Sequence, residues 1–228
     1  MQTKGKGFGM KLKMNNLERI QYISDGFDYN DQIENVKNAL DNGIQWVQLR
    51  WKTYPTTNEL HKLAYNIKKL CQEYKATYII NDHVSLANEM DADGIHLGLN
   101  DDSIDSAKNI LGESKIFGGT ANTYEDVMQR QREGCDYIGL GPMRFTSTKK
   151  KLSPILGLEG YKNICNKIKA GKIVTPPIFA IGGIEENDIQ KLIHIGIYGI
   201  AGSSLIKRNP ELITKLKTNY EEQINNCR

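Results

Sequence analysis

The sequence predicts one (β/α)8 barrel, and three observations predict it. Eight short apolar runs recur along the 228 residues, each followed by a longer polar or amphipathic stretch. Strands alternating with helices imply right-handed βαβ units and a parallel sheet, and eight of them in a chain this long suit a closed barrel. No Gly/Pro/Ser linker interrupts the pattern, and the GxGxxG turn of a doubly wound sheet is missing after the first run, "QYISDGFD". Residues 1–228 therefore read as a single domain, with residues 1–18 a basic N-terminal extension.

The runs are 20–24 (IQYIS), 46–50 (WVQLR), 77–81 (TYIIN), 94–98 (GIHLG), 115–119 (KIFGG), 137–141 (YIGLG), 177–183 (PIFAIGG) and 199–204 (GIAGSS). The stretches 30–43, 56–74, 103–112, 123–134 and 185–196 carry helical spacing; several open on Asp, Asn or Thr and several close on Gly, as helix caps do.

Composition narrows the class. A net charge of +3 is too small to predict nucleic-acid binding. Cys71, Cys135, Cys165 and Cys227 form no CxxC pair, which argues against a zinc site or a disulfide framework and suits a reducing compartment. No signal-peptide core and no membrane-length apolar run are present. The expectation is a cytoplasmic protein with small-molecule partners, no nucleic acid and no membrane; a homo-oligomer stays open.

In a barrel the chemistry sits where strands end and the following loops begin. Through the end of the second run, Gln48, Arg50 and Lys52 alternate with Val47, Leu49 and Trp51, so one side of an otherwise apolar strand becomes polar and cationic. That side suits an anion. The third run ends in Asn81-Asp82, and Asp101 follows the fourth; neighbouring strands lie about 4.8 Å apart, so Asp82 and Asp101 can share a divalent ion. Magnesium takes one or two carboxylates plus substrate phosphates and water. Asp102 is the alternative ligand or a helix cap. His96 lies within the fourth run, where a lone histidine is more often packed than catalytic, and His83 directly follows Asp82.

Thr120 and Asn122 are neutral donors at the end of the fifth run. After the sixth, Thr146, Ser147, Thr148 and Lys149 place three hydroxyls and an ammonium within four residues, able to surround an anion. The loop 143–157 is longer than a usual βα connection, and we expect it to be mobile and to close over bound diphosphate. Gly182-Gly183 and Ser203-Ser204 end the last two runs, the usual phosphate site of this architecture.

Taken in order, "QLRWK", "IINDHVSLA", "DADGIHLGLND", "GLGPMRFTSTKK", "FAIGGI" and "GIAGSSLI" resemble the thiamine phosphate synthases over residues 20 to 207. The related thiazole tautomerases share several of these motifs. The resemblance implies a Mg2+-dependent transferase that couples hydroxymethylpyrimidine diphosphate to a thiazole phosphate and releases pyrophosphate. It implies that Gln48, Arg50, Lys52 and Asn81 contact the pyrimidine and diphosphate, and that Asp82 and Asp101 bind the metal. Thr146 and Thr148 would hold the thiazole phosphate side and Lys149 the diphosphate, with Gly183 and Ser204 on the thiazole phosphate; Ser203 takes that place after a shift of one. Arg50, Lys52 and Lys149 would then be the catalytic cations.

The sequence departs from the family pattern at four places. Thr120 stands where serine is frequent, Asn122 for histidine, Leu99 for glutamine and His83 for arginine. The loss of histidine at 122 removes an acid–base group that the tautomerases are thought to use. A tautomerase and a non-catalytic phosphate-binding barrel remain the alternatives.

Overall fold

A computed structural model describes residues 17–54, 56–145, 154–214 and 216–218. Among them eight parallel strands close into a barrel in the order β1-β2-β3-β4-β5-β6-β7-β8. The strands are β1 (Ile20–Ile23), β2 (Trp46–Leu49), β3 (Thr77–Asn81), β4 (Gly94–Leu97), β5 (Ile116–Ala121), β6 (Tyr137–Leu140), β7 (Ile178–Ile181) and β8 (Gly199–Gly202). Helices α1 (Tyr29–Asp41), α2 (Thr57–Glu73), α3 (Val84–Glu89), α4 (Ile104–Leu111), α5 (Tyr124–Arg132), α6 (Gly157–Ala170), α7 (Glu186–Ile195) and α8 (Ser204–Arg208) alternate with them.

Local chemistry sets the helix starts. Asp28, Thr56 and Ser103 accept hydrogen bonds from the backbone three residues on, capping α1, α2 and α4. Thr123 and Asp126 cap α5 reciprocally. Asp102 is therefore not the cap of α4. Neither Asn81 nor Asp82 caps α3, whose cap position is His83, without a side-chain bond.

Period-two alternation divides each strand between two cores. Outward residues such as Val47, Leu49, Ile80 and Ile95 pack with the helices in one large apolar shell. Inward, Trp46, Ile79, Tyr137, Phe179 and Ala201 fill the lower barrel. Trp46 meets the Tyr137 and Phe179 rings edge to face, with centroids 4.9 and 5.2 Å away. The apolar plug leaves the next inward layer, toward the strands' C-terminal ends, to polar residues.

One boundary shifts in an instructive way. The second strand ends at Leu49, not Arg50, because the Arg50 N–H turns out of the ladder and donates to Ser24 Oγ at 2.9 Å. Arg50 and Lys52 thus belong to the loop above the strand.

Candidate active site

A cavity of about 890 Å³ opens at the C-terminal ends of the strands. Gln48, Arg50, Lys52, Asn81, Asp82, Asp101, Thr120, Gly183 and Ser204 all line it, so nine of the sequence-derived candidates from six strand ends meet in one place. Ser203 lines it too, whereas Asp102 and His83 do not. Thr146, Thr148 and Lys149, with most of the long loop expected to close, lie outside the described residues.

The β1–β5 side is charged. Burial holds the Arg50 guanidinium below its ordinary pKa, while the Asp82 and Asp25 charges pull it back up. A half-buried guanidinium that desolvation disfavours gains from an incoming anion.

Asp82 occupies the left-handed region, with φ +65°. Asp tolerates this conformation better than most residues, and the Asp82 N–H donates to the His96 carbonyl at 3.0 Å. The Asp82 carboxyl is pushed up to about 7, by burial first and then by the hydrogen bond and charge of Asp101; Lys52 and Arg50 oppose this. Asp101 is fixed from behind, where the Gly98 N–H donates to its Oδ2 at 2.6 Å. Two facing carboxylates with one forced toward neutrality form a site that a cation would relieve. Among the described residues no group of three or more His, Cys, Asp or Glu is arranged to hold a metal ion. Two carboxylates alone suit only a metal that completes its shell with water and phosphate oxygens.

Arg130, a helix residue that sequence reasoning passed over, braces this side. Nearly all of it is buried. Its Nε donates to the Thr120 carbonyl at 3.0 Å, Nη2 to the Gly98 carbonyl at 2.8 Å and Nη1 to Glu133 at 2.7 Å. One guanidinium thus ties the strand end that presents Thr120 to the turn that holds Asp101.

The β7–β8 side is built from backbone. Gly182 and Gly183 have φ +78° and +70°, where a side chain would be strained. Arg144 bolts this turn down: its N–H donates to the Gly182 carbonyl at 3.0 Å, and Nη1 to the Gly183 carbonyl at 2.9 Å. The same guanidinium grips the buried Asp188 with both Nη atoms. A Cβ on Gly183 would lie 2.8 Å from Arg144 Cβ.

Three further features were missed. Asp25, two residues past β1, lines the cavity and was findable by the same strand-end rule. Arg144 sits among loop residues whose packing no local pattern reveals. Gln21 and Tyr137 lie beneath the cavity and touch its lining from below. His96 is packed and hydrogen-bonded, as expected of a strand histidine.

No helix among the described residues is long and apolar enough to cross a membrane. A family model for thiamine monophosphate synthase matches residues 20–206. A thiamine-phosphate synthase of Flavobacterium psychrophilum is 53% identical over 201 residues, spanning 87% of this chain and 97% of that one. A second, of Flavobacterium johnsoniae, is 52% identical over 193 residues, spanning 85% and 90%. The solved structure of a thiamine phosphate pyrophosphorylase from Pyrococcus furiosus superposes with a TM-score of 0.75 at 27% identity, covering 92% of this chain and 98% of that one.

Proposed function

The chain belongs to the thiamine monophosphate synthase family, and from that premise we propose that it couples 4-amino-5-hydroxymethyl-2-methylpyrimidine diphosphate to a thiazole phosphate, releasing pyrophosphate. The observation that carries this reading is the meeting of Arg50 and Lys52 with the Asp82–Asp101 pair in one cavity. Cations suit the diphosphate, and paired carboxylates suit the metal that accompanies it.

The reaction breaks the bond between the pyrimidine methylene carbon and the bridging oxygen, whose electron pair leaves with pyrophosphate. The aminopyrimidine ring stabilises the resulting cation, and the thiazole nitrogen supplies the electron pair of the new C–N bond. Arg50 and Lys52 stabilise the charge that builds on the departing oxygens, a task for fixed, preorganised groups. Asn81 and Thr120 donate to the same anion, and Gln48 orients the pyrimidine. Asp82 and Asp101 would hold Mg2+, which supplies Lewis-acid neutralisation of the diphosphate when bound. Gly183 and Ser204 hold the thiazole phosphate. Thr146, Thr148 and Lys149 complete the two anion sites on the strength of the sequence resemblance. Holding both substrates in line replaces a chance encounter, worth about 7–11 kcal/mol at most. No side-chain nucleophile is needed.

Asn122 weighs against a tautomerase. Its side-chain amide donates to the Gly141 carbonyl, a positioning contact with no proton to exchange near neutral pH. Free, buried Cys71, Cys135 and Cys165 suit the reducing cytoplasm.

The test is direct. Purified protein, both substrates and magnesium should yield thiamine phosphate, detected by fluorescence after oxidation, and chelation of the metal should stop it. Folded protein giving no product from intact substrates would overturn the reading.

A further inference from the structure

Beneath the cavity floor, side chains from β1, β2, β4, β5 and β6 form one continuous hydrogen-bond chain. Gln48 Nε2 donates to Gln21 Oε1 at 3.0 Å, and Gln21 Nε2 donates to the Tyr137 phenol oxygen at 3.2 Å. That oxygen lies 3.1 Å from His96 Nδ1, and His96 Nε2 lies 3.0 Å from Thr120 Oγ1. All five residues are buried. Gly118 makes the arrangement possible, since a Cβ there would lie 2.2 Å from Cζ of the Tyr137 ring. The two ends, Gln48 and Thr120, line the cavity, as does His96; Gln21 and Tyr137 do not.

Every member has a donor side and an acceptor side, so the proton order at one link fixes the next. The phenol oxygen accepts from the amides of Gln21 and Gln48, which fills both lone pairs, so its single proton goes to His96 Nδ1. His96 is then the neutral tautomer with its proton on Nε2, and that proton goes to Thr120 Oγ1. The Thr120 hydroxyl keeps its own proton for an acceptor in the cavity, and Gln48 turns its amide oxygen the same way. Run in reverse, Thr120 would donate to His96 and show an anion only lone pairs, while Gln48 would show its NH2.

We propose that this chain couples the two halves of the pyrimidine diphosphate: an amino group on the Gln48 oxygen at one end sets the Thr120 hydroxyl as a donor to the diphosphate at the other. The proposal rests on the function proposed above. Both ligand groups demand the same proton order, since an amino group needs an acceptor and a diphosphate needs a donor. Gln21 and Tyr137 are positioning residues, acting through Gln48 and Thr120 without touching substrate.

The experiment is a double-mutant cycle of Tyr137→Phe with Thr120→Val, read both as kcat and as affinity for magnesium pyrophosphate by calorimetry. Tyr137→Phe keeps the ring and removes the link, and should lower both about tenfold, as expected for losing a hydrogen bond to a charged group. On the Thr120→Val background it should change neither, whereas on Thr120→Ser, which keeps the hydroxyl, it should still cost about tenfold. Losses that multiply overturn the proposal. Gln48→Met frees Gln21 to invert and should weaken pyrophosphate binding several-fold; unchanged binding removes the coupling. Should Tyr137→Phe fail to fold, Gln21→Leu combined with Gln48→Met removes both amides that donate to the phenol and takes its place. A wild-type protein that makes no thiamine phosphate would remove the function reading alone, because the pyrophosphate cycle still decides for or against the chain.

Discussion

The two sides of the cavity handle anions by different means. From β1 to β5 the lining is charged and electrostatically strained: a half-buried Arg50, a raised Asp82 carboxyl and Asp101 beside it. From β7 to β8 it is neutral, made of Gly182, Gly183, Ser203 and Ser204. Backbone amides suit a phosphate whose charge stays constant. Charged groups are worth their desolvation where charge changes during the reaction, as it does on a departing diphosphate. Under the proposed function, chemistry falls to one side and grip to the other.

The strongest way to break this division is Asp82→Ala, which should abolish magnesium-dependent turnover; metal-titrated activity at the wild-type level would remove Asp82 as a ligand. Next comes Arg50→Ala, expected to lower kcat by roughly 10²–10³, the range for losing one preorganised donor to developing charge. Steady-state kinetics would check it, and Arg50→Lys should recover only part, because the ammonium lacks the guanidinium's fork.

On the neutral side Gly183→Ala should act differently. Its φ of +70° and the Arg144 Cβ at 2.8 Å both oppose a side chain. The strain of about 1–2 kcal/mol should raise KM for the thiazole phosphate roughly tenfold, with kcat nearly unchanged. A fall in kcat matching that of Arg50→Ala would erase the distinction.

The architecture was legible in the sequence because strand and helix signals alternate locally, and all eight runs became strands. Gln48 and Arg50 stood out as polar residues in or just beyond an apolar strand, a contrast that needs no structure. The hydrogen-bond chain under the floor was illegible. Residues 21, 48, 96, 120 and 137 come from five strands, and only barrel closure and register, such as Thr120 opposite Gly139, bring them together. Arg130 and Arg132 look alike on paper in "QRQRE". Burial separates them, and it depends on which face of α5 meets the barrel. Asp82 and Asp101 come together because β3 and β4 adjoin, a consequence of topology alone.

The smallest expected effect concerns the bolt that holds the neutral side. Burial alone would raise the Asp188 pKa, but hydrogen bonds from Arg144 and the Glu185 N–H, with the Arg144 charge, outweigh it and leave the carboxyl below its ordinary value. A lowered folded-state pKa contributes stability that is full above the unfolded value, about 3.9, and is lost as pH falls through the folded one. Asp188→Asn should therefore be less stable than wild type at neutral pH, and the gap in urea midpoints should narrow below about pH 4. A gap that stays constant into acid would show that the ion pair contributes nothing.

The division of labour is tested most directly by calorimetric binding of magnesium pyrophosphate to wild type, Arg50→Ala and Gly183→Ala. The account predicts that Gly183→Ala binds it as wild type does, while Arg50→Ala loses at least about tenfold, the scale of one charged hydrogen bond. Equal losses in the two variants would contradict it, because the leaving group would then be held by both sides of the barrel alike.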